Sequence, residues 1–344
     1  MKKKIIFLIF AVLIVSFFLF YFWYSIYFPI ESGSKREIVF EIKRGQGGKE
    51  ISKNLKNEGL IRFAIPFRFY IYFKGVARKL QSGFYLLSPS MTIPQMVEKF
   101  VKGDVIKEKI TILEGWNKRE IAKYLEEKGI LKAEDFLEKT KLIYWKEKYD
   151  FLKEIEAPDL EGFLFPDTYF VEHSTNFAIA KNVELTKEEK IIKKMLDNFD
   201  KKLTPQLREE ISHQGKTIFQ IVTMASMLEK EVKDFEDKKL VSGILWKRLE
   251  NGIPLQVDAT ITFLTGKKTT QIPLEDLQID SPYNTYKYKG LPPGPICNPG
   301  FDSILAAIYP EKSDFWYYLS TPDGKTIFSK TLQEHNIAKA KYLK

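Results

Sequence analysis

The chain has 344 residues, of which 44% are apolar and 29% charged, with a formal net charge of +9 and a single cysteine, Cys297. One cysteine rules out an intramolecular disulfide framework, so packing must supply the stability, and the length favours two or three domains over one core. The lysine excess is spread along solvated helix faces rather than gathered with aromatics into a motif, so nucleic acid is not an expected partner.

Lys2, Lys3 and Lys4 precede an apolar run from Ile5 to Phe28 that is interrupted only by Ser16 and Ser25 and closes on Tyr21, Phe22, Trp23, Tyr24 and Tyr27. The run is long enough to span a bilayer. The lysines should stay cytoplasmic and the aromatics should sit at the opposite interface, which puts everything after Pro29 outside the cytosol, although Lys35 and Arg36 run against that asymmetry. A cleaved secretory signal would have a shorter apolar region ending in small residues, so an uncleaved anchor is expected. For an exported chain the positive charge suits anionic wall polymers or a membrane surface. A lysine-rich composition with no binding role accounts for it equally well.

Ile38, Phe40 and Ile42 alternate with other residues as in a half-buried strand, and Gly45 to Gly48 turn the chain into a helix that carries Ile51 and Leu55 and stops at Gly59. The pattern returns about seventy residues later, residues 40–61 aligning with 110–131 so that Gly45 meets Gly115, Ile51 meets Ile121, Leu55 meets Leu125 and Gly59 meets Gly129. This is an internal repeat of a strand–turn–helix unit. The glycines at 45–48 do not follow a nucleotide-binding spacing and read as a tight turn. Between the copies a helix is predicted over 66–73, a strand over 84–86 and a helix over 93–100. After the second copy a helical stretch with Trp145 runs to about Ile155, and Pro158 marks a boundary. Helices are predicted over 187–198, 205–213, 217–232 and 236–250, a strand around Gln256 and Asp258, a hairpin over 315–330 and a closing helix over 332–343.

Chemistry narrows by exclusion. His173, His213 and His335 lack the company of a zinc site, Ser226 lies outside a nucleophile elbow, and Cys297, between Pro295 and Pro299, reads as a small inert core residue. No metal or cofactor is expected, and carboxylates remain. In the helix over 217–232, Ile218, Val222, Ala225 and Val232 form one stripe at helical spacing, and Glu229 falls on it. Burial there would raise its pKa toward neutrality, as a general acid requires, whereas an ordinary Glu229–Lys233 surface pair is the alternative. Glu231 falls on another face of the wheel. The loop over 281–300 combines prolines and glycines with Tyr283, Tyr286 and Tyr288, which could stack on sugar rings, while Asn284 and Thr285 could hold hydroxyls or an acetamide; a stiff structural loop fits the same composition. The stretch from Glu161 to Thr168, which includes Asp167, could be a helix cap or a cleft wall.

These segments, in this order, resemble the endolytic murein transglycosylases of the YceG-like family over nearly the whole chain. The motifs are EGFLFPDTY at 161–169, ASMLEKEV at 225–232, LQVDAT at 255–260, SPYNTY at 281–286 and GLPPGPICNPG at 290–300. The resemblance implies an α+β chain: a cytoplasmic tail (1–4), a transmembrane helix (5–28), a LysM-like α/β domain (37–105), a second strand–helix repeat and linker (106–156), and an α+β catalytic domain with a C-terminal hairpin (157–344). It implies a single-pass protein of the cytoplasmic membrane, acting outside it on peptidoglycan glycan strands, with peptidoglycan synthases as partners. It further implies that Glu229, the first glutamate of the triplet, is catalytic. The implied reaction protonates the leaving oxygen of the bond from N-acetylmuramic acid to N-acetylglucosamine, after which the carboxylate takes the proton from the muramic C6 hydroxyl and a 1,6-anhydro end forms. Asn284 and Tyr283 are expected to orient the acetamide and stabilise charge at C1. Thr285, Tyr286, Asp167, Gln256, Asp258 and Glu161 complete the expected substrate-binding set. Two further readings stay open: a muramidase with Asp167 or Asp258 as second carboxylate, and a non-catalytic wall-binding scaffold.

Overall fold

The computed structural model describes residues 2–43, 45–172, 185–267 and 272–343. These form two compact units: the described residues up to Lys109 with 170–172, and Ile110–Tyr169 with the described residues from 185 onward.

The first unit begins with helix α1 (Lys2–Tyr27). Its span from Lys4 to Tyr27 is long and apolar enough to cross a membrane, as an anchor or a signal sequence would be. Just past its end, the Arg62 guanidinium donates to the Phe28 and Pro29 carbonyl oxygens at 2.8 and 2.6 Å and lies over the Tyr24 ring at 5.1 Å. Strand β1 (Ile38–Ile42), helices α2 (Gly48–Asn57) and α3 (Ala64–Phe73), strand β2 (Gly83–Leu87) and helix α4 (Ile93–Lys102) follow. β1 and β2 pair antiparallel, Ile38 opposite Leu87 and Ile42 opposite Gly83. Period-two alternation sends Phe40, Ile42, Tyr85 and Leu87 into one core with Leu55, Phe67 and Phe100 from the three helices. A reciprocal capping box between Thr92 and Gln95 starts α4, and Gly103 ends it with left-handed backbone.

Strands β3 (Lys107–Thr111) and β4 (Thr168–Glu172) pair, and the boundary between the units falls within both. The second unit then runs through α5 (Lys118–Glu127), α6 (Ala133–Lys139), α7 (Lys187–Lys202), α8 (Pro205–His213), α9 (Ile218–Glu231), α10 (Phe235–Glu250), α11 (Asp258–Thr265) and α12 (Phe301–Ile308). It closes with β5 (Tyr317–Ser320), β6 (Thr326–Ser329) and α13 (Leu332–Tyr342). β5 and β6 pair antiparallel, Tyr317 opposite Ser329. The two sequence repeats share their local geometry, since Gly45 and Gly115 have φ of +81° and +77°, and Gly59 and Gly129 have +70° and +67°.

Two expectations are corrected. The stretch around Trp145 forms three short 3₁₀ turns between Leu142 and Leu152 rather than a helix. Trp145 and Phe151 are both buried; on one regular helix residues six apart point about 120° away from each other, and the turns bring both inward without burying the exposed Ile143 and the lysines between them. Residues 256–258 form no strand, because Gln256 has φ +55° and Asp258 begins α11. His173 lies outside the described residues.

Helix α9 is the axis of the second unit, with every residue from Ile221 to Leu228 buried. What packs around it is fixed by one amide. Asn298, fully buried, accepts from the Gly162 and Leu164 amides at 2.9 Å each and donates to the Trp116 carbonyl at 2.9 Å and to Glu161 Oε1 at 3.1 Å. Glu161 in turn accepts from the Lys118 amide, the first residue of α5. Gly162 has φ +90°, and a Cβ there would lie 2.5 Å from Pro295 Cγ, so neither backbone nor space admits a side chain. On the other side of the loop, Ser226 of α9 accepts from the Ile296 amide at 3.0 Å.

Asn298→Ala strips partners from two buried amides and a buried carboxyl, and should lower stability by about 3 kcal/mol or more; urea unfolding of the detergent-solubilised chain reads this directly. Burial pushes Glu161 up to about 8, against the opposing pull of the Lys118 amide and charge. The folded state therefore binds the proton more tightly than the unfolded chain does. The stabilisation from Glu161 is complete below its ordinary range and is lost as pH rises through about 8. Thermal midpoints of the wild-type chain should fall relative to Glu161→Gln between pH 6 and 9, since glutamine keeps the acceptor without the titration.

Candidate active site

The last turn of α9 carries two glutamates in different surroundings. Glu229 is largely buried, its side chain 10% exposed, and its Oε2 accepts from the Gly300 amide at 3.0 Å, Ser303 Oγ at 2.6 Å and Lys238 Nζ at 3.4 Å. The site is crowded further by Glu114, whose carboxylate lies against Gly300. Burial, followed by the Glu229 charge, raises Glu114 above the usual carboxylate range. Glu229 thus links α9 to the start of α12, where Gly300 precedes the helix and Ser303 lies in its first turn.

Glu231 ends α9. Its Oε1 accepts from the Ala259 amide at 3.3 Å, in the first turn of α11, and its Oε2 accepts from Tyr318 Oη of β5 at 3.2 Å. Ser320 Oγ donates to the Glu231 carbonyl at 2.9 Å. Burial raises the Glu231 carboxyl to about 7, with the Asp258 charge raising it further. Asp258 accepts a short hydrogen bond from Tyr286 Oη, and burial beside these carboxylates holds the Tyr286 and Tyr318 phenols well above their usual range. Arg248, buried and donating to the Leu255 carbonyl at 2.9 Å, supplies the nearby positive charge. A carboxyl raised to about 7, with tyrosine hydroxyls and a second carboxylate beside it, is equipped to give and retake a proton.

The wheel argument placed Glu229 on a buried stripe, and its side chain is indeed only 10% exposed, but the wheel does not separate its surroundings from those of Glu231. From Ile221 to Leu228 α9 is buried on all faces, so position on the wheel does not separate a carboxyl that is engaged in packing from one that faces polar company. Glu231 is drawn into its surroundings by α11 and β5, which lie 28 and 87 residues further along the chain. Two more of the expected binding residues are engaged within the fold. Asn284 is fully buried with its amide bonded inside its own loop, donating to the Leu277 and Ile279 carbonyls and accepting from the Tyr286 amide. Thr285 is buried likewise, its hydroxyl accepting from the Val257 amide at 2.9 Å. Both residues instead set the position of Tyr286.

Gln256 is exposed, and it is the single described non-glycine residue with left-handed backbone, held by its amide donating to the Thr285 carbonyl at 3.1 Å. Tyr283 packs on Phe263 at 5.1 Å between ring centres, half-buried, nearer Asp159 and Glu161 than the Glu231 cluster. Asp167 is exposed and engaged by Asn198 Nδ2 at 2.8 Å, and Glu161 belongs to the Asn298 network. The structure therefore brings together Glu231, Asp258, Tyr286, Tyr318 and Arg248. Of these, sequence reasoning named Asp258 and Tyr286, set Glu231 aside and did not name Tyr318 or Arg248. Cys297 is buried, and desolvation pushes its thiol well up, as an inert core residue requires.

The YceG-like family model matches residues 40–341. A protein of Bacillus subtilis (strain 168) named endolytic murein transglycosylase is 34% identical over 332 residues, covering 92% of this chain and 87% of that one. A protein of the same name from Streptococcus pneumoniae (strain D39) is 32% identical, covering 90% of this chain and 59% of its own length. A crystal structure of a YceG-like protein from Listeria monocytogenes is 36% identical and superposes with a TM-score of 0.57, covering 89% of this chain and all of that one. Matched along most of its length by the family model, by sequence relatives and by a solved structure, the chain belongs to the YceG-like family.

Proposed function

We propose that the chain is a membrane-anchored endolytic transglycosylase that cleaves peptidoglycan strands between N-acetylmuramic acid and N-acetylglucosamine, with Glu231 as the group that moves the proton. The observation that carries this reading is the Glu231 carboxyl itself, raised to about 7 and faced by Tyr318, Asp258 and Tyr286. The relatives' shared name supplies the reaction class. Neutral Glu231 donates to the leaving glycosidic oxygen. The resulting carboxylate accepts the proton of the muramic C6 hydroxyl, O6 closes on C1, and a 1,6-anhydro end remains. One carboxylate suffices because the nucleophile belongs to the substrate.

Around this centre, Tyr286 and Tyr283 are proposed to meet sugar rings, Gln256 and Asp258 to line the approach, and Glu229 to hold α12 against α9. The apolar α1 supports an anchor in the cytoplasmic membrane with the N-terminus inside and the second unit outside. Residues 37–105 fit a LysM-like glycan-binding domain, 106–156 a second repeat and linker, and 157–344 the catalytic domain, with peptidoglycan synthases as working partners. Asp258 beside Glu231 favours one competing reading, a hydrolytic muramidase that uses both carboxylates.

Mass spectrometry of fragments released from purified peptidoglycan separates the two. Products one water lighter than hydrolytic ends are expected from the wild-type chain, reducing ends from a muramidase. Glu231→Gln should lose about three orders of magnitude or more in turnover, while Glu229→Gln should keep measurable activity with reduced stability; the reverse pattern would return the proton transfer to Glu229. Activity should fall as pH rises through about 7, because the donor form of Glu231 is the neutral one. Asp258→Asn removes a charge that raises the Glu231 value and should move this limb of the pH profile to lower pH.

A further inference from the structure

Helix α3 is apolar on two opposite sides, with Arg68, exposed at the edge of the outward side, as its one charged residue. Pro66, Phe67 and Ile71 enter the core of the first unit, while Ile65, Phe69, Tyr72 and Phe73 point outward with 67, 51, 81 and 78% of their surface exposed. These outward positions recur at i, i+4, i+7 and i+8, one continuous stripe. A helix apolar on both sides is ordinarily enclosed on both, and a stripe of this kind marks contact with something apolar.

What it meets follows from its neighbour. Phe63, just ahead of α3, lies edge-on to Tyr21 of α1 at 5.9 Å, Phe69 to Phe22 at 5.3 Å, and Tyr70 to Tyr27 at 6.4 Å. Counting from Ile5 at about 1.5 Å per residue, a hydrocarbon layer of about 30 Å ends near Tyr24. Tyr21 and Phe22 then lie at its outer edge, and whatever packs on them shares that depth. Lys74, Arg78 and Lys79, all exposed, follow the stripe and supply cations at the level of lipid headgroups. Arg62, just ahead of α3, ties it to the segment that follows α1 by donating to the Phe28 and Pro29 carbonyls.

We propose that α3 lies in the outer membrane–water interface with Ile65, Phe69, Tyr72 and Phe73 turned into the acyl boundary, so that the first unit is seated on the bilayer rather than suspended above it. This rests on the reading of α1 as a membrane span. The test uses the full chain in vesicles of phosphatidylglycerol and phosphatidylethanolamine, carrying a nitroxide at Phe69→Cys or Phe73→Cys, with Leu13→Cys in α1 as a lipid standard and Lys53→Cys on α2 as a water standard. Native Cys297 is buried, and the parent chain checks that it takes no label. Collision with oxygen relative to a water-soluble nickel chelate should be several-fold higher at 69 and 73 than at 53, approaching the value at 13. Water-like values at 69 and 73 with a lipid-like value at 13 would overturn the proposal, leave the anchor standing and turn attention to a protein partner for the stripe. A water-like value at 13 as well would overturn both.

Discussion

The second unit depends on the side-chain amide of Asn298. A primary amide has two donor and two acceptor positions, and here all four are filled by segments that are remote in sequence: the turn before α5, the stretch at 161–164 and the Glu161 carboxyl. Inside a low-dielectric core such bonds strengthen one another, and each becomes costly to break singly. Because the same loop also bonds Ser226 of α9, the position of the central helix is set by this junction. Keeping Glu161 neutral belongs to the same economy of charge, since a buried anion there would have no full counter-charge.

Two glutamates separated by one residue illustrate how environment divides roles. Glu229 meets donors and an ammonium and is built into a helix junction; Glu231 meets a phenol, a single amide and another carboxylate. On the reading proposed above, the same side chain has a structural task in one place and a proton-transfer chemistry in the other. Neither environment is local. The groups around Glu231 come from α10, α11, β5 and the loop at 281–288, brought together only by the completed fold.

What could be read from the sequence follows the same division. Local patterns were legible: the alternation that gives β1, the helical spacing over 217–232 that gives α9, the glycines that repeat the same turns at 45 and 115, and the motif order that marks the family. Trp145 misled because local periodicity does not show that Phe151 must be buried with it. Gln256 misled because a strand-like run gives no sign of a left-handed residue. Asn284 and Thr285 looked like ligand groups because their amide and hydroxyl were visible in the sequence while the backbone atoms that consume them were not. Glu114 had one usable signal, since it stands where the first repeat has Arg44, a reversal of charge at an otherwise matched turn.

The left-handed backbone of Gln256 has a mechanical consequence. A side-chain-bearing residue in that conformation stores about 1 kcal/mol or more that the surroundings must oppose, and the opposing contacts are the Thr285 carbonyl and hydroxyl, bonded to the amides of Gln256 and Val257. The turn behaves as a compressed spring, with the tyrosine loop as its catch. Pulling the loop outward would release the turn, swing the first residue of α11 and carry the Asp258 charge away from Glu231. The Asp258 charge is thus held beside Glu231 by the tyrosine loop, through the Tyr286 hydroxyl and the Thr285 bonds.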